Sequence, residues 1–187
     1  MDDDKIRRLI QKAINNDNSS IESLIHEFHL KIFRMVYYRT RSKIDSDDIT
    51  QDVFIKMMKN IKNLRQPEKF SQWLYKIAIN TIRDFYRKKF LYSIISLSYD
   101  IHTSDDDPDA PIIAKEFWIY FEKMKKKLSK MEAEIFMLRF MDDLTIKEIS
   151  EVLSKSESTI KTLLYRGIKK FQQNHEFIKL LGDGIHG

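Results

Sequence analysis

The first groups in this sequence to test for chemistry are its histidines and one pair of adjacent carboxylates. His26 and His29 stand three residues apart, a helical spacing that can bring two imidazoles to one metal ion. No acidic or thiol partner completes an evident site there, so the pair reads as part of a solvated helix face. Asp47 and Asp48 read as charge at a helix N-terminus rather than as a catalytic dyad. There is no glycine-rich phosphate loop, no His-Glu-x-x-His and no Gly-x-Ser-x-Gly. The chain has no cysteine, which excludes disulfides, thiolate zinc sites and thiol nucleophiles. These exclusions predict a protein that is not an enzyme and needs no metal or cofactor.

The chemistry that remains is recognition of a polyanion. In LTIKEISEVLSKSESTIKTLLYRGIKKF (144–171), Thr145 and Glu148 have capping-box spacing, and Ile146, Ile149 and Leu153 form an apolar face. After a break at Ser154–Lys155–Ser156, Ile160, Leu164, Ile168 and Phe171 form one stripe of a second helix. The opposite face carries Ser158, Lys161, Thr162, Tyr165, Arg166 and Lys169. Two short helices, a tight turn and an exposed polar, basic face make a helix-turn-helix. Hydroxyl, aromatic and guanidinium groups suit base edges and phosphates in a major groove.

A second basic and aromatic face lies in FSQWLYKIAINTIRDFYRKKF (70–90). Phe70, Trp73, Leu74, Ile77, Thr81 and Phe85 are expected on its packed side, with Tyr75, Lys76, Asn80, Arg83, Tyr86 and Arg87 opposite. Rings interleaved with cations supply stacking platforms and phosphate neutralisation, as melted DNA requires.

The elements that must hold these faces are helical. The first of only four glycines is Gly167, so 166 residues run without the residue that tight hairpin turns favour. The fold class is therefore all-α, as two small helical domains. The spacing predicts helices over Asp4–Asn15, Ile21–Thr40, a third capped by Ser46, and Ser71–Phe90. In that third helix Ile49, Val53, Phe54, Met57 and Met58 form the apolar stripe. Further helices are expected over Ile112–Leu128, Lys130–Met141, Thr145–Leu153 and Ser156–Asn174.

Charge divides the 187 residues into three. Residues 1–95 carry 19 basic and 12 acidic side chains, 96–116 carry one and six, and 117–187 carry 13 and 10. Two basic blocks flank an acidic one containing two of the three prolines, which predicts domains at 1–95 and 115–180 joined by a linker at 96–114. No signal peptide and no run long enough to span a bilayer is visible, so a soluble, cytoplasmic protein without membrane contact is expected.

DDITQDVFIKMMKNI (47–61) followed by FSQWLYKIAINTIRDFYRKK (70–89) resembles region 2 of extracytoplasmic-function sigma factors of the sigma-70 family. LSKMEAEIFMLRFMDDLTIKEISEVLSKSESTIKTLLYRGIKKF (128–171) resembles region 4. The resemblance implies a sigma factor that binds core RNA polymerase and directs promoter-specific initiation from −10 and −35 elements. It assigns docking on the largest subunit's clamp helices to Asp47, Asp48, Gln51, Asp52 and Phe54, with a further contact at the flap region. It assigns −10 recognition to Asn63, Leu64, Lys69, Trp73, Tyr75, Lys76, Asn80, Arg83 and Arg87. To the −35 element it assigns Ser158, Thr159, Lys161, Thr162, Tyr165, Arg166 and Lys169, with Arg139 on a phosphate. It also implies an anti-sigma factor as a partner, and a linker running near the RNA exit path. Three residues depart from the family pattern: Ser154 replaces the usual turn glycine, Lys155 an apolar residue, and Leu163 a position that is often basic. Ser154 must then take a positive φ without glycine, or the turn must change shape. Two other readings are a helix-turn-helix regulator that binds DNA without core polymerase, which leaves WLYKIAINTIRDFYRKK and the acidic docking helix unexplained, and a purely helical interaction protein of the anti-sigma type.

Overall fold

The computed structural model of the chain describes residues 3–95 and 125–172, with side chains over 4–90 and 125–171. The expected linker, most of the expected Ile112–Leu128 helix and residues beyond Gln172 lie outside these. Two compact units are present, Met1–Asp105 and Asp106–Gly187. Among the described residues all regular structure is helical.

The first unit contains α1 (Asp3–Ile14), α2 (Asn18–Thr40), α3 (Lys43–Asn60) and α4 (Phe70–Ile95), with 3₁₀ turns at Ile61–Asn63 and Pro67–Lys69 before α4. Asp17 caps α2 by accepting the Ser20 N–H at 3.0 Å, so α2 starts one turn before the expected Ile21. Ser42, not Ser46, caps α3: its backbone is extended and its hydroxyl accepts the Asp45 N–H at 3.2 Å. The expected cap placed the helix start a turn too late because Ser-x-x-Asp at 42–45 satisfies the orphan N–H groups first. Ser46 is instead buried, its hydroxyl 2.8 Å from that of Thr40.

Leu24, Phe28, Ile32, Met35 and Val36 of α2 form one stripe and bury against Ile49, Val53, Phe54 and Met57 of α3 and Phe70, Leu74, Ala78 and Ile82 of α4. Met58 leaves the expected stripe and is exposed. Phe28 and Phe70 meet edge to face at 5.2 Å. The Tyr86 hydroxyl donates to the Arg39 carbonyl at 2.8 Å, and Lys89 pairs with Asp45 at 3.2 Å, fixing α4 against α2 and the start of α3.

The second unit contains α5 (Lys130–Phe140), α6 (Ile146–Leu153) and α7 (Glu157–Gln172). Both α5 and α6 begin with full capping boxes, Ser129–Glu132 and the expected Thr145–Glu148. Ile135, Phe136 and Leu138 pack with Ile149, Val152, Ile160, Leu164 and Phe171, and the Phe136 and Phe171 rings stack at 4.4 Å. Glu132 closes its own cap and also accepts from Lys170 at 2.7 Å, tying the start of α5 to the end of α7.

The Lys170 ammonium, then the Ser129 N–H, holds the Glu132 carboxyl below its usual range, although burial opposes this. A carboxyl depressed in the folded state stabilises the fold above its unfolded pKa. That contribution is lost as pH falls through the lower, folded value. Glu132→Gln should therefore destabilise the second unit by roughly 1–3 kcal/mol at neutral pH. In thermal melts the difference from the parent chain should shrink as the pH is lowered into the acid range.

Candidate nucleic-acid interface

On α4, Lys69, Trp73, Lys76, Asn80, Arg83 and Arg87 follow one another at steps of four, three, four, three and four residues, so they line a single face from its leading turn. Lys76, Asn80, Arg83 and Arg87 are exposed, and Trp73 lies half-buried with its ring 5.8 Å from that of Phe70. Trp73 was expected on the packed side. The buried stripe is instead Phe70, Leu74, Ala78, Thr81 and Ile82, which leaves Trp73, Ile77 and Phe85 on its flanks. Tyr75 is half-buried and lies about a third of a turn away from the cationic face. Asn63, exposed, and Leu64, half-buried, sit at the first 3₁₀ turn, ahead of α4.

Beneath that face runs a chain of polar contacts. Lys56 of α3 donates to the Thr81 hydroxyl at 3.0 Å and lies 3.8 Å from one Asp84 oxygen, while Arg87 pairs with the other at 3.1 Å.

On α3, Asp47, Asp48, Gln51 and Asp52 are exposed, whereas Phe54 is 5% exposed. Phe54 therefore packs in the core and not on the exposed acidic face with the other four. It is covered by His29, whose ring stacks on those of Phe54 at 6.0 Å and Phe33 at 6.4 Å. Sequence reasoning missed Ile44, 71% exposed, which shares a face with Asp48, Gln51, half-buried Ile55 and exposed Met58. The signal was the helical spacing 44, 48, 51, 55 and 58.

In the second unit, α6 and α7 form the helix-turn-helix. Its turn is made by Ser154 in the left-handed region, φ 52° and ψ 48°, with the Lys155 N–H returning to the Ser150 carbonyl at 2.9 Å. Ser156 then caps α7 by accepting the Thr159 N–H at 3.2 Å. Ile160, Leu164 and Phe171 are buried, joined by Gly167 and half-buried Ile168. Ser158, Thr159, Lys161, Thr162, Tyr165, Arg166 and Lys169 are all exposed, Tyr165 to 68%. Arg139 is half-buried and donates to the Leu144 carbonyl at 3.2 Å, bracing the loop that leads into α6.

A family described as Sigma-70 region 2 matches residues 24–90, and one described as Sigma-70, region 4 matches residues 119–171. The chain belongs to the sigma-70 family. It is 31% identical over 154 residues to the RNA polymerase sigma factor SigZ of Bacillus subtilis, an alignment covering 82% of this chain and 86% of that one. The ECF RNA polymerase sigma factor SigW of the same organism is 26% identical over 172 residues, covering 87% and 92%. The chain is thus an extracytoplasmic-function sigma factor, and its activity is promoter-specific transcription initiation with RNA polymerase. Two solved structures share the fold at 18% identity. CnrH in complex with the cytosolic domain of CnrY has a TM-score of 0.67, covering 96% of this chain and 98% of that one. The sigma factor RpoE in complex with the anti-sigma factor NepR from Bartonella quintana has a TM-score of 0.60, covering 84% and 98%. Among the described residues no helix is long and apolar enough to cross a membrane.

A left-handed serine carries a steric penalty that glycine lacks, partly offset by the greater freedom of glycine in the unfolded chain. Ser154→Gly should stabilise the second unit by about 0.5–1 kcal/mol. The gain should appear as a higher midpoint in thermal melting, with initiation from the same promoters.

Proposed function

We propose that this sigma factor docks on the clamp helices of the polymerase's largest subunit through Asp47, Asp48, Gln51 and Asp52 of α3. Asn63, Leu64 and the α4 face of Lys69, Trp73, Lys76, Asn80, Arg83 and Arg87 capture the −10 element as single strand, with Tyr75 supporting from the side. The exposed face of α7, from Ser158 and Thr159 to Lys169, enters the major groove at the −35 element. Arg139 contributes from the last turn of α5, and the second unit meets the flap region. The protein works in the cytoplasm, performs no catalysis of its own, and is held in check by an anti-sigma factor.

One observation carries this reading. α7 buries Ile160, Leu164 and Phe171 while leaving every hydroxyl, aromatic and cationic group of its other side exposed, behind a capped, tightly turned partner helix. That arrangement supports insertion of α7 in a groove. On α4 the run of cations with one tryptophan supports contact with unpaired bases and phosphates.

The decisive experiment is transcription from a promoter library by purified core polymerase with and without the protein. Initiation should appear only with it. The isolated chain should bind duplex DNA weakly at physiological salt, since few cations contribute. Nanomolar, sequence-specific binding without polymerase would overturn the reading.

Asp48→Lys with Gln51→Lys should leave the melting temperature nearly unchanged, because both residues are exposed, and should weaken competition for core enzyme. In α7, Arg166→Ala should cost roughly 1–3 kcal/mol of −35 recognition and relax one or two base pairs. Leu164→Ala should instead destabilise the unit by about 2–5 kcal/mol, with DNA recognition lost as a consequence. Thermal melting separates the two before DNA is added.

A further inference from the structure

The first turn of α7 holds an acid on a surface otherwise suited to a polyanion. Glu157 is its first residue, with the side chain 50% exposed, and its carboxylate lies 4.0 Å from the ammonium of Lys161, one turn on and 57% exposed. The first-turn acids of α5 and α6 are structural: Glu132 and Glu148, each at the third helical position, accept the backbone N–H of the capping residue, a role that Glu157 at the first position does not fill. The cap of α7 does not use Glu157. Ser156 accepts the Thr159 N–H, and its hydroxyl lies 2.9 Å from that of Ser158 and 2.8 Å from that of Thr159. A carboxylate beside DNA phosphates weakens binding unless it meets a donor. The N-terminal residues of a recognition helix are the ones that approach base edges. In the major groove, cytosine offers the N4 amine as a donor, beside the O6 and N7 acceptors of its paired guanine.

We propose that Glu157 and Lys161 act together as a base-reading pair that selects one C·G pair of the −35 element. The carboxylate accepts from cytosine N4 and the ammonium donates to guanine O6 or N7. Acceptor and donor stand side by side on the protein as donor and acceptor do on the base pair. The pairing with Lys161 holds the carboxylate near a cation, which limits repulsion by the backbone phosphates. This assignment rests on α7 being the −35 recognition helix.

The test uses the full chain with core polymerase on templates whose −35 element is fully randomised, counting transcripts per template. The parent protein should favour C·G at one position by about tenfold, in the range of one good base contact. Glu157→Ala should remove that preference while the other positions keep theirs. Glu157→Gln, which matches the edge of adenine, should move the preference at that position toward adenine. A uniform rise in initiation from all templates with Glu157→Ala would overturn the proposal, since the acid would then only repel phosphate. Unchanged preferences, or a parent preference there for a base other than cytosine, would overturn it too. Should Glu157→Ala melt early, the isosteric Glu157→Gln decides. Arg166→Ala in the same library separates the two levels. If it flattens its own position while Glu157 variants change nothing, only the base-reading pair is lost. If neither residue affects any −35 preference, α7 is not the recognition helix.

Discussion

Among the described residues, the helices of this protein are punctuated without glycine. Asn16, Arg41, Asp143 and Ser154 take left-handed φ values of 65°, 54°, 54° and 52°. For Arg41 and Ser154 this costs about 1 kcal/mol relative to glycine, and less for Asn16 and Asp143, whose side chains tolerate the region, so each turn recovers that energy nearby. The recovery has a common form. Asn16 is followed at once by the cap Asp17, and Arg41 by the cap Ser42. Asp143 lies two residues before the cap Thr145, and Ser154 two before Ser156. A strained reversal followed by a side-chain cap ends one helix and starts the next within a few residues. The orientations of α2, α3, α6 and α7 follow from where these reversals fall, whereas α4 is set by the 3₁₀ turns at Ile61–Asn63 and Pro67–Lys69.

The same geometry separates packing from recognition. A short helix with its buried stripe fixed has only one way to present its other side. On α7 the buried Ile160, Leu164 and Phe171 leave Lys161, Tyr165 and Arg166 outward, and on α4 the buried Phe70, Leu74 and Ala78 leave Lys76, Asn80 and Arg83 outward. These exposed residues, proposed to recognise DNA, therefore contribute little to stability and can be exchanged at small cost to the fold. Arg139, which braces the Leu144 carbonyl, and half-buried Trp73, packed against Phe70, serve the fold as well as the proposed DNA side.

Much of this was legible in the sequence because period and caps act locally. The stripe of α7 and the Thr145–Glu148 box depend on residues one turn apart, and the family resemblance singled out Ser154 as a place needing a positive φ or another turn shape. The failures came where a distant partner decides. Phe54 reads equally well as docking surface or core until His29 of α2 is seen stacked over it. Trp73 and Leu74 are neighbours of similar hydrophobicity, and only the packing of α4 on α2 and α3 buries the second and leaves the first on the cationic flank. Ser42 and Ser46 both have the composition of a cap, and Ser46 loses the role because it is buried with its hydroxyl against Thr40 of α2, while Ser42 accepts the Asp45 N–H.

Asp84 has two cationic claimants on different helices, Lys56 from α3 and Arg87 from α4 itself. Exposed pairs of this kind contribute little to folding, about 0–1 kcal/mol each. Their arrangement matters more as a means of exchange. In the proposed −10 contact Arg87 turns toward a phosphate, and the carboxylate it leaves is not stranded, because Lys56 lies beside it, steadied by the Thr81 hydroxyl. The side chain that reaches for DNA thus leaves behind a pair rather than a lone charge. Lys56 belongs to the helix proposed to dock on polymerase, so the docking helix and the DNA face share one counter-ion.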